Sequence, residues 1–189
     1  MGAPQSASPP NRPPRYAWRV ITYELRPARL REAAHLAAMS ESLIETGLRP
    51  TWSAARIARH IEHADSVVLV AETAGEILGF AIMQYGDDSA HLNLLAVAPG
   101  HRRRGIARAL LAWLEETALT AGTFTIGLEL RAGNDAAHAF YLALGYRDAG
   151  RVPRYYQGVE DAIRMVRDVR IPPPSSGRPL PAHRGAGKG

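Results

Sequence analysis

A short apolar run followed by a basic, glycine-containing turn constrains this chain more than any other stretch. Residues 92–105 read Leu-Asn-Leu-Leu-Ala-Val-Ala-Pro-Gly-His-Arg-Arg-Arg-Gly, and the first six have the length and apolarity of a buried strand. Pro99 and Gly100 end that strand, because proline has no N–H for a ladder and glycine turns freely. An amphipathic helix follows Gly105 at once. A strand, a basic turn and a helix in this order direct backbone N–H groups at an anion, and the helix dipole adds partial positive charge.

The turn lacks the residues of two common phosphate-binding loops. A nucleoside-triphosphate loop contains Gly-Lys-Ser or Gly-Lys-Thr, and the sequence has neither. A dinucleotide fingerprint needs three spaced glycines after its strand, whereas only Gly100 and Gly105 follow this one. An ordinary strand-to-helix turn with solvated arginines stays the alternative interpretation.

Composition limits the chemistry that is available to the chain. A length of 189 residues is enough for one domain with its own core. Because there is no cysteine, disulfides, thiolate metal sites and a cysteine nucleophile are excluded, and we predict no metal. No apolar run approaches the ~20 residues of a membrane span. The Pro/Ser-rich beginning also lacks the apolar core of a signal peptide, so we expect a cytoplasmic protein with no membrane partner.

The net charge of +5 comes from the two ends of the sequence. Residues 1–15 and 170–189 hold six of the 23 basic residues and none of the 18 acidic ones. Both ends are rich in Pro, Gly or Ser, so we expect disordered tails at 1–15 and 170–189 and a folded domain at 16–169. A nucleic-acid-binding domain carries its basic surface on the folded part, so we expect no nucleic-acid partner. Binding of DNA through the tails stays an alternative.

The spacing of apolar residues between the tails changes repeatedly from the period of strands to that of helices. Strands are predicted at 18–25, 67–71, 77–84, 91–97 and 124–130 and as a pair within 146–169, and helices at 28–39, 51–63, 106–121 and 134–144. Thr51 and Asn134 suit helix N-caps, and Gly122 and Gly145 suit helix ends. The resulting order is β-αα-βββ-α-β-α-ββ.

Three segments carry a resemblance to a known family. Residues 102–107 read Arg-Arg-Arg-Gly-Ile-Ala and match the pattern Arg/Gln-x-x-Gly-x-Gly/Ala; the other two are Glu-Leu-Arg-Ala-Gly-Asn at 129–134 and Ala-Phe-Tyr-Leu-Ala-Leu-Gly-Tyr at 139–146. Together with the element order, they resemble the GCN5-related N-acetyltransferase (GNAT) family across residues 18–169. The resemblance implies a mixed α/β fold, in which about four helices flank a twisted, mostly antiparallel sheet of six or seven strands.

Within that family the chain looks most like the RimI-type enzymes, which acetylate protein α-amino groups. The segment Tyr-Tyr-Gln-Gly-Val-Glu-Asp-Ala-Ile-Arg-Met at 155–165 adds to this similarity. The resemblance implies transfer of an acetyl group from acetyl-coenzyme A to a primary amine, first of all the N-terminal α-amino group of a protein such as a ribosomal protein. Because the chain has no cysteine nucleophile, we expect direct transfer in a ternary complex, by a monomer or a homodimer.

The same resemblance implies where the cofactor binds. The basic turn grips the pyrophosphate, Gly105 lets the backbone come close, and Ala107 is small enough not to block it. The central strand splays from the next one near Ala96 and Val97, so that unpaired N–H groups meet the thioester. The implied cofactor-binding residues are Leu95, Ala96, Val97, Arg102, Arg103, Arg104, Gly105, Ile106, Ala107, Asn134 and Tyr141.

Two residues are candidates for proton transfer. Glu129 lies on the polar face of its strand beside Gly127, and a carboxylate that is partly shielded from water has a raised pKa, which suits a general base. The resemblance places the acid that protonates the leaving thiolate at Tyr141. The alternatives are an ion pair of Glu129 with Arg131 or Arg154, and a packing role for the tyrosine.

Other polar side chains have both a functional and a structural interpretation. Tyr155 and Tyr156 either line the substrate groove or finish a strand. His91 and Asn93 lie on the central strand, where they either support a water relay or are satisfied in the core. His138 is expected at a solvated helix position.

Two further functions stay open. A small-molecule acetyltransferase for a drug, polyamine or amino acid would have a closed acidic pocket. An enzyme for peptides would instead have a groove between the loop that joins the first two helices and the last hairpin. A non-catalytic acyl-coenzyme A-binding module would lack the proton-transfer residues.

Overall fold

The computed structural model describes residues 22–173, in which helices pack on both faces of a seven-stranded sheet. The strands are β1 (Glu24–Pro27), β2 (Ser66–Thr73), β3 (Glu76–Tyr85), β4 (Ser89–Val97), β5 (Thr125–Arg131), β6 (Arg147–Tyr156) and β7 (Glu160–Asp168). The helices are α1 (Ala33–Leu43), α2 (Ala54–Glu62), α3 (Ile106–Ala121) and α4 (Asp135–Leu142), with 3₁₀ turns at Leu30–Glu32 and Pro99–His101. The expected tail at 1–15 and most of the one at 170–189 lie outside the described residues.

The sheet has the order β1-β2-β3-β4-β5-β7-β6, and only β4 and β5 run parallel to each other. The predicted mixed α/β fold with a mostly antiparallel sheet is therefore confirmed. β4 and β5 pair only at 89–91 against 125–127. The strands separate after His91, well before the position near Ala96 and Val97 where the sequence predicts it.

A β-bulge in β4 lies where the separation begins. Met83 of β3 is opposite Leu92, but Ile82 is already opposite Leu94, so Asn93 is the extra residue. A bulge bends its strand and turns the neighbouring side chains. The bulge and the lost pairing with β5 together leave the second half of β4 open along one edge.

Two apolar clusters cover the sheet unequally. One cluster packs α1 and α2 against β2, β3 and β4, with Leu36, Ile57 and Phe80 fully buried. The other packs α3 against the opposite face, with Leu110 and Ile126 among its members. Since the first cluster draws its sheet residues from β2 to β4, the same face of β5 and β7 is left for polar side chains.

One element boundary and one helix cap differ from the sequence prediction. The first strand is predicted at 18–25, but its described part is Glu24–Pro27, and β1 tolerates the proline because it is an edge strand. Thr51 is wrong as the N-cap of α2. Ser53 has that position, and its side chain accepts a hydrogen bond from the Arg56 N–H.

Within residues 22–173, no helix combines the length and apolarity that a bilayer span requires.

Thr51 instead helps to order the connection between α1 and α2, residues 44–53, around a buried carboxylate. Glu45 is only 6% exposed. It accepts hydrogen bonds from the N–H and Oγ1 of Thr51 at 2.6 Å, from Ser40 Oγ at 3.2 Å and from the Trp52 N–H at 3.4 Å. A carboxylate is stable in such a place only when donors surround it. The connection is therefore fixed although it contains neither helix nor strand.

Replacing Glu45 by Ala should lower the free energy of unfolding by about 2–3 kcal/mol, because the partly buried donors of Thr51 and the buried N–H of Trp52 lose their acceptor. Denaturation with urea measures the change. Glu41, an exposed residue of α1, provides the control, and Glu41→Ala should change stability by less than about 0.5 kcal/mol. Equal midpoints for Glu45→Ala and the natural chain would contradict the role assigned to Glu45.

Candidate active site

A pocket of about 710 Å³ opens where β4 and β5 separate. Its walls are the α1–α2 connection, the second half of β4, the end of β5, the first turns of α4 and the β6–β7 hairpin. This β4/β5 pocket therefore lies between the loop that joins the first two helices and the last hairpin. A groove in this position is expected of an enzyme that acts on peptides.

Two polar bridges join the α1–α2 connection to the other side of the pocket. The side-chain amide of Gln157 donates to the Arg49 carbonyl at 2.6 Å and accepts from the Arg49 N–H at 3.0 Å. Arg131 donates to the carbonyl of Thr46 at 2.8 Å and pairs with Glu160 at 2.6 Å. These two loop bridges fix the width of the groove.

Glu129 lies in the wall of the pocket with both carboxylate oxygens engaged. His91 Nε2 is 3.0 Å from one oxygen, and Arg164 Nε donates to the other at 2.9 Å. The hydrogen bond from His91, aided by Arg164, lowers the pKa of Glu129 although burial acts in the opposite direction. The predicted raised pKa is therefore wrong, because these partners outweigh burial. The partners are also not Arg131 or Arg154.

The strand register explains why these groups meet. His91 is directly opposite Gly127 in the β4–β5 pair, and Glu129 is directly opposite Arg164 in the β5–β7 pair. Side chains that are directly opposite share a face of the sheet, as do residues two apart along a strand. The four residues therefore occupy one face, the one that α1 and α2 leave uncovered. Sequence reasoning missed Arg164, because the alternation of a strand gives its faces but not its register.

Three tyrosines line the pocket. Tyr141 is nearly buried, and burial together with the neighbouring Tyr156 raises the pKa of its hydroxyl. Its ring also packs edge-on against Tyr146, with centroids 5.4 Å apart, so it belongs to the apolar core as well as to the pocket. Tyr155 is exposed and packs edge-on against Tyr156. All three are among the candidate site residues of the sequence.

The bulge residue of β4 contributes an unsatisfied donor. Asn93 lines the pocket, and its Nδ2 atom is buried without a hydrogen-bond partner. A buried amide without a partner is costly in a folded protein, which makes this atom a ready donor to a bound molecule. Within residues 22–173, no three His, Asp or Glu side chains form a cluster that could bind a metal ion.

The basic turn lies beyond the C-terminal end of β4. Gly105 has φ +82° and directly precedes α3, whose N-terminus has no side-chain cap. The first N–H groups of the helix are therefore left for an external acceptor. The Nε of Arg102 donates to the Val97 carbonyl at 3.1 Å and ties the turn to β4. The side chain of Ile106 is buried and that of Ala107 is partly buried, whereas the three arginines are exposed: Arg102, Arg103 and Arg104.

The remaining predicted cofactor residues lie along the open edge of β4 and at the start of α4. Leu95 lines the pocket, whereas the side chains of Ala96 and Val97 are buried, so these two offer their backbone. Asn134 caps α4 as predicted, since its Oδ1 accepts from the Ala137 N–H at 3.1 Å. It lines the pocket as well.

Residues 33–146 match the model of the acetyltransferase (GNAT) family, which is more than half of the sequence. The chain belongs to the acetyltransferase (GNAT) family. It is 46% identical over 95 residues to the [ribosomal protein bS18]-alanine N-acetyltransferase of Salmonella typhimurium, which covers 49% of this chain and 64% of that protein. It is 43% identical over 100 residues to the enzyme of the same name from Escherichia coli K12, covering 51% and 68%.

Solved structures agree with this membership. The ribosomal-protein-S18-alanine N-acetyltransferase of Escherichia coli superposes with a TM-score of 0.68 at 29% identity, over 78% of this chain and 94% of that one. The PaiA N-acetyltransferase of Thermoplasma acidophilum, solved in complex with coenzyme A, gives a TM-score of 0.67 at 16% identity, over 78% and 99%, and shares the fold. The predicted family and fold are thus confirmed.

Gly105→Ala should weaken coenzyme A binding about tenfold, because a β-carbon at φ +82° costs ~1–2 kcal/mol in the turn that directs the N–H groups. Isothermal titration calorimetry measures the affinity. Gly122 at the other end of α3 has nearly the same backbone, with φ +80°, and is the matched control. Gly122→Ala should lose similar stability but keep the affinity. Equal affinities of the two variants would refute the assignment of the turn.

Proposed function

We propose that this chain is an acetyl-coenzyme A-dependent N-acetyltransferase that acts on the N-terminal α-amino group of a protein, by direct transfer in a ternary complex. The observation that carries the proposal is the β4/β5 pocket. The open edge of β4 joins it to the basic turn, and it extends into the groove between the α1–α2 connection and the β6–β7 hairpin. The names of the relatives favour a ribosomal protein with an N-terminal alanine as the acceptor.

The residues around the turn suit coenzyme A. The exposed guanidiniums of residues 102–104 and the first N–H groups of α3 would hold its pyrophosphate, with Gly105 allowing close approach. The open backbone edge of β4 from Leu95 to Val97 would polarise the carbonyl that accepts the amine. Acetyl-coenzyme A supplies the reactive thioester when it is bound.

Both proton transfers have candidate groups in the pocket. The linked side chains of His91 and Glu129 face the groove and would remove a proton from the ammonium of the acceptor. Tyr141 would protonate the leaving thiolate, because its raised pKa keeps the hydroxyl protonated. The chain has no cysteine to form a covalent acetyl intermediate, which supports direct transfer. The presence of these groups argues against a purely binding module.

The charges of the pocket favour a peptide over a small cationic amine. Glu129 is paired with Arg164, Glu160 with Arg131, and Glu45 is surrounded by hydrogen-bond donors. These pairings offset the carboxylate charges, so the pocket lacks the surplus negative charge that would attract a polyamine. A groove between two loops also fits an extended chain end.

A screen of acceptors tests the proposal. Peptides that differ only in their first residue, including alanine, are compared with polyamines, amino acids and aminoglycosides at a fixed acetyl-coenzyme A concentration. We expect the alanine peptide to have the highest kcat/KM. An otherwise identical peptide with a blocked N-terminus and an internal lysine is the control and should not react. A free amine with a higher kcat/KM than every peptide would overturn the choice of acceptor.

Tyr141→Phe should lower kcat by about 10²–10⁴-fold and leave the affinity for coenzyme A within about twofold, because it removes only the proton donor. Steady-state kinetics and calorimetry measure the two effects. Tyr146→Phe is the control, since that hydroxyl bonds to Glu115 and lies outside the pocket lining. A normal kcat for Tyr141→Phe would exclude the tyrosine as the acid.

A further inference from the structure

The linked side chains of His91 and Glu129 differ in access to the groove. The Glu129 side chain is 10% exposed and that of His91 is 43% exposed. The carboxylate is held on two sides, by His91 and by Arg164. The imidazole forms its hydrogen bond to Glu129 through Nε2. Its other nitrogen, Nδ1, lies beside Gly127. If residue 127 had a β-carbon, that atom would be 3.8 Å from Nδ1. Glycine at 127 therefore leaves space for water or an amine in front of that nitrogen.

Protonating Glu129 would carry two costs. The neutral carboxyl group would form a weaker hydrogen bond with Arg164, and the positive charge of the guanidinium would lose its negative partner. The pKa of Glu129 is also already lowered by its partners, which widens the gap to an ammonium group. A general base works best when its own pKa lies near the working pH, and histidine is the side chain that ordinarily titrates there.

We propose that His91 accepts the proton of the acceptor's ammonium group at Nδ1, directly or through one water, and that Glu129 is a positioning residue. This inference rests on the proposed N-acetyltransferase function. The neutral amine then attacks the acetyl carbonyl, so that a C–N bond forms and the C–S bond breaks. The second proton of the amine leaves with the sulfur as the thiol, through the hydroxyl of Tyr141. His91 returns its proton to solvent, so each acetyl transfer releases one proton.

Charged groups around the linked side chains support this division of labour. Glu129 reaches the imidazole from β5, Arg164 comes from β7, and the Tyr155 hydroxyl lies near both Glu129 and Arg164. Arg56 of α2 lies over the ring of Trp52, and its positive charge also interacts electrostatically with the Tyr155 hydroxyl. Glu129 contacts both His91 and Arg164, and its carboxylate would stabilise a positive charge on the imidazole when the proton arrives. The same carboxylate orients the ring by fixing Nε2–H.

The pH dependence of kcat/KM separates the two residues. With the best peptide acceptor, His91→Gln should lower kcat/KM by about 10²–10⁴-fold and abolish the acidic limb of the profile. Glu129→Gln should cause a smaller loss and keep the acidic limb, because the imidazole that accepts the proton is still present. The proposal is overturned if His91→Gln keeps the acidic limb of the natural chain, or if Glu129→Gln abolishes it.

Nuclear magnetic resonance of the free protein gives a readout that does not need turnover. The ¹⁵N shifts of His91 should identify the Nε2–H tautomer, and their titration midpoint should match the acidic limb of kcat/KM. In Glu129→Gln the midpoint and the limb should still coincide. A midpoint of His91 that differs from the limb by more than about one pH unit would refute the proposal, even if His91→Gln failed to fold.

His138 provides a matched control, because its Nε2 contacts Asp148 at 2.7 Å outside the pocket lining. The contact also corrects the expectation of a merely solvated side chain. His138→Gln should keep kcat/KM within about twofold and leave the pH profile unchanged; the loss seen with His91→Gln would otherwise be unspecific. A natural chain that acetylates no peptide would instead refute the proposed function, which keeps the two failures distinct.

Discussion

The loss of backbone pairing between β4 and β5 after His91 is the constraint on which the rest of the molecule depends. Buried N–H and C=O groups need partners, and an edge in the middle of a sheet has none from the sheet itself. The bulge at Asn93 adds a buried amide that also lacks one. The fold therefore leaves hydrogen-bonding capacity unused at its centre, where a bound molecule can use it. The basic turn beyond β4 and the groove beneath the loops both lead to this opening.

The polar face of β5 and β7 turns the opening into a chemical site. The helices α1 and α2 pack on β2 to β4 only, so neither helix covers the side chains of His91, Glu129 and Arg164. These side chains contact one another instead. They neutralise one another in a row across three strands. On the other side of the gap, Tyr141 is packed in the core and keeps its proton. The partners of Glu129 lower the pKa of its carboxyl, whereas burial raises the pKa of the Tyr141 hydroxyl, so the pKa shifts on the two sides of the gap have opposite directions.

Local patterns predicted the elements well and the side-chain partners poorly. The turn before α3, its glycine end at Gly122 and the cap at Asn134 all follow from short-range backbone chemistry, which the sequence displays directly. The prediction of Thr51 as a cap was wrong because its N–H and hydroxyl donate to the buried carboxylate of Glu45 instead. The direction of the Glu129 pKa shift failed for a related reason: its partners come from β4 and β7, and strand register is a property of the whole sheet.

One of the two loop bridges has a consequence for motion in the groove. Gln157 and Arg49 are 108 residues apart in sequence, yet their two hydrogen bonds hold the α1–α2 connection against the β6–β7 hairpin. The two walls of the groove are therefore coupled, because local opening of either loop would break both hydrogen bonds at once.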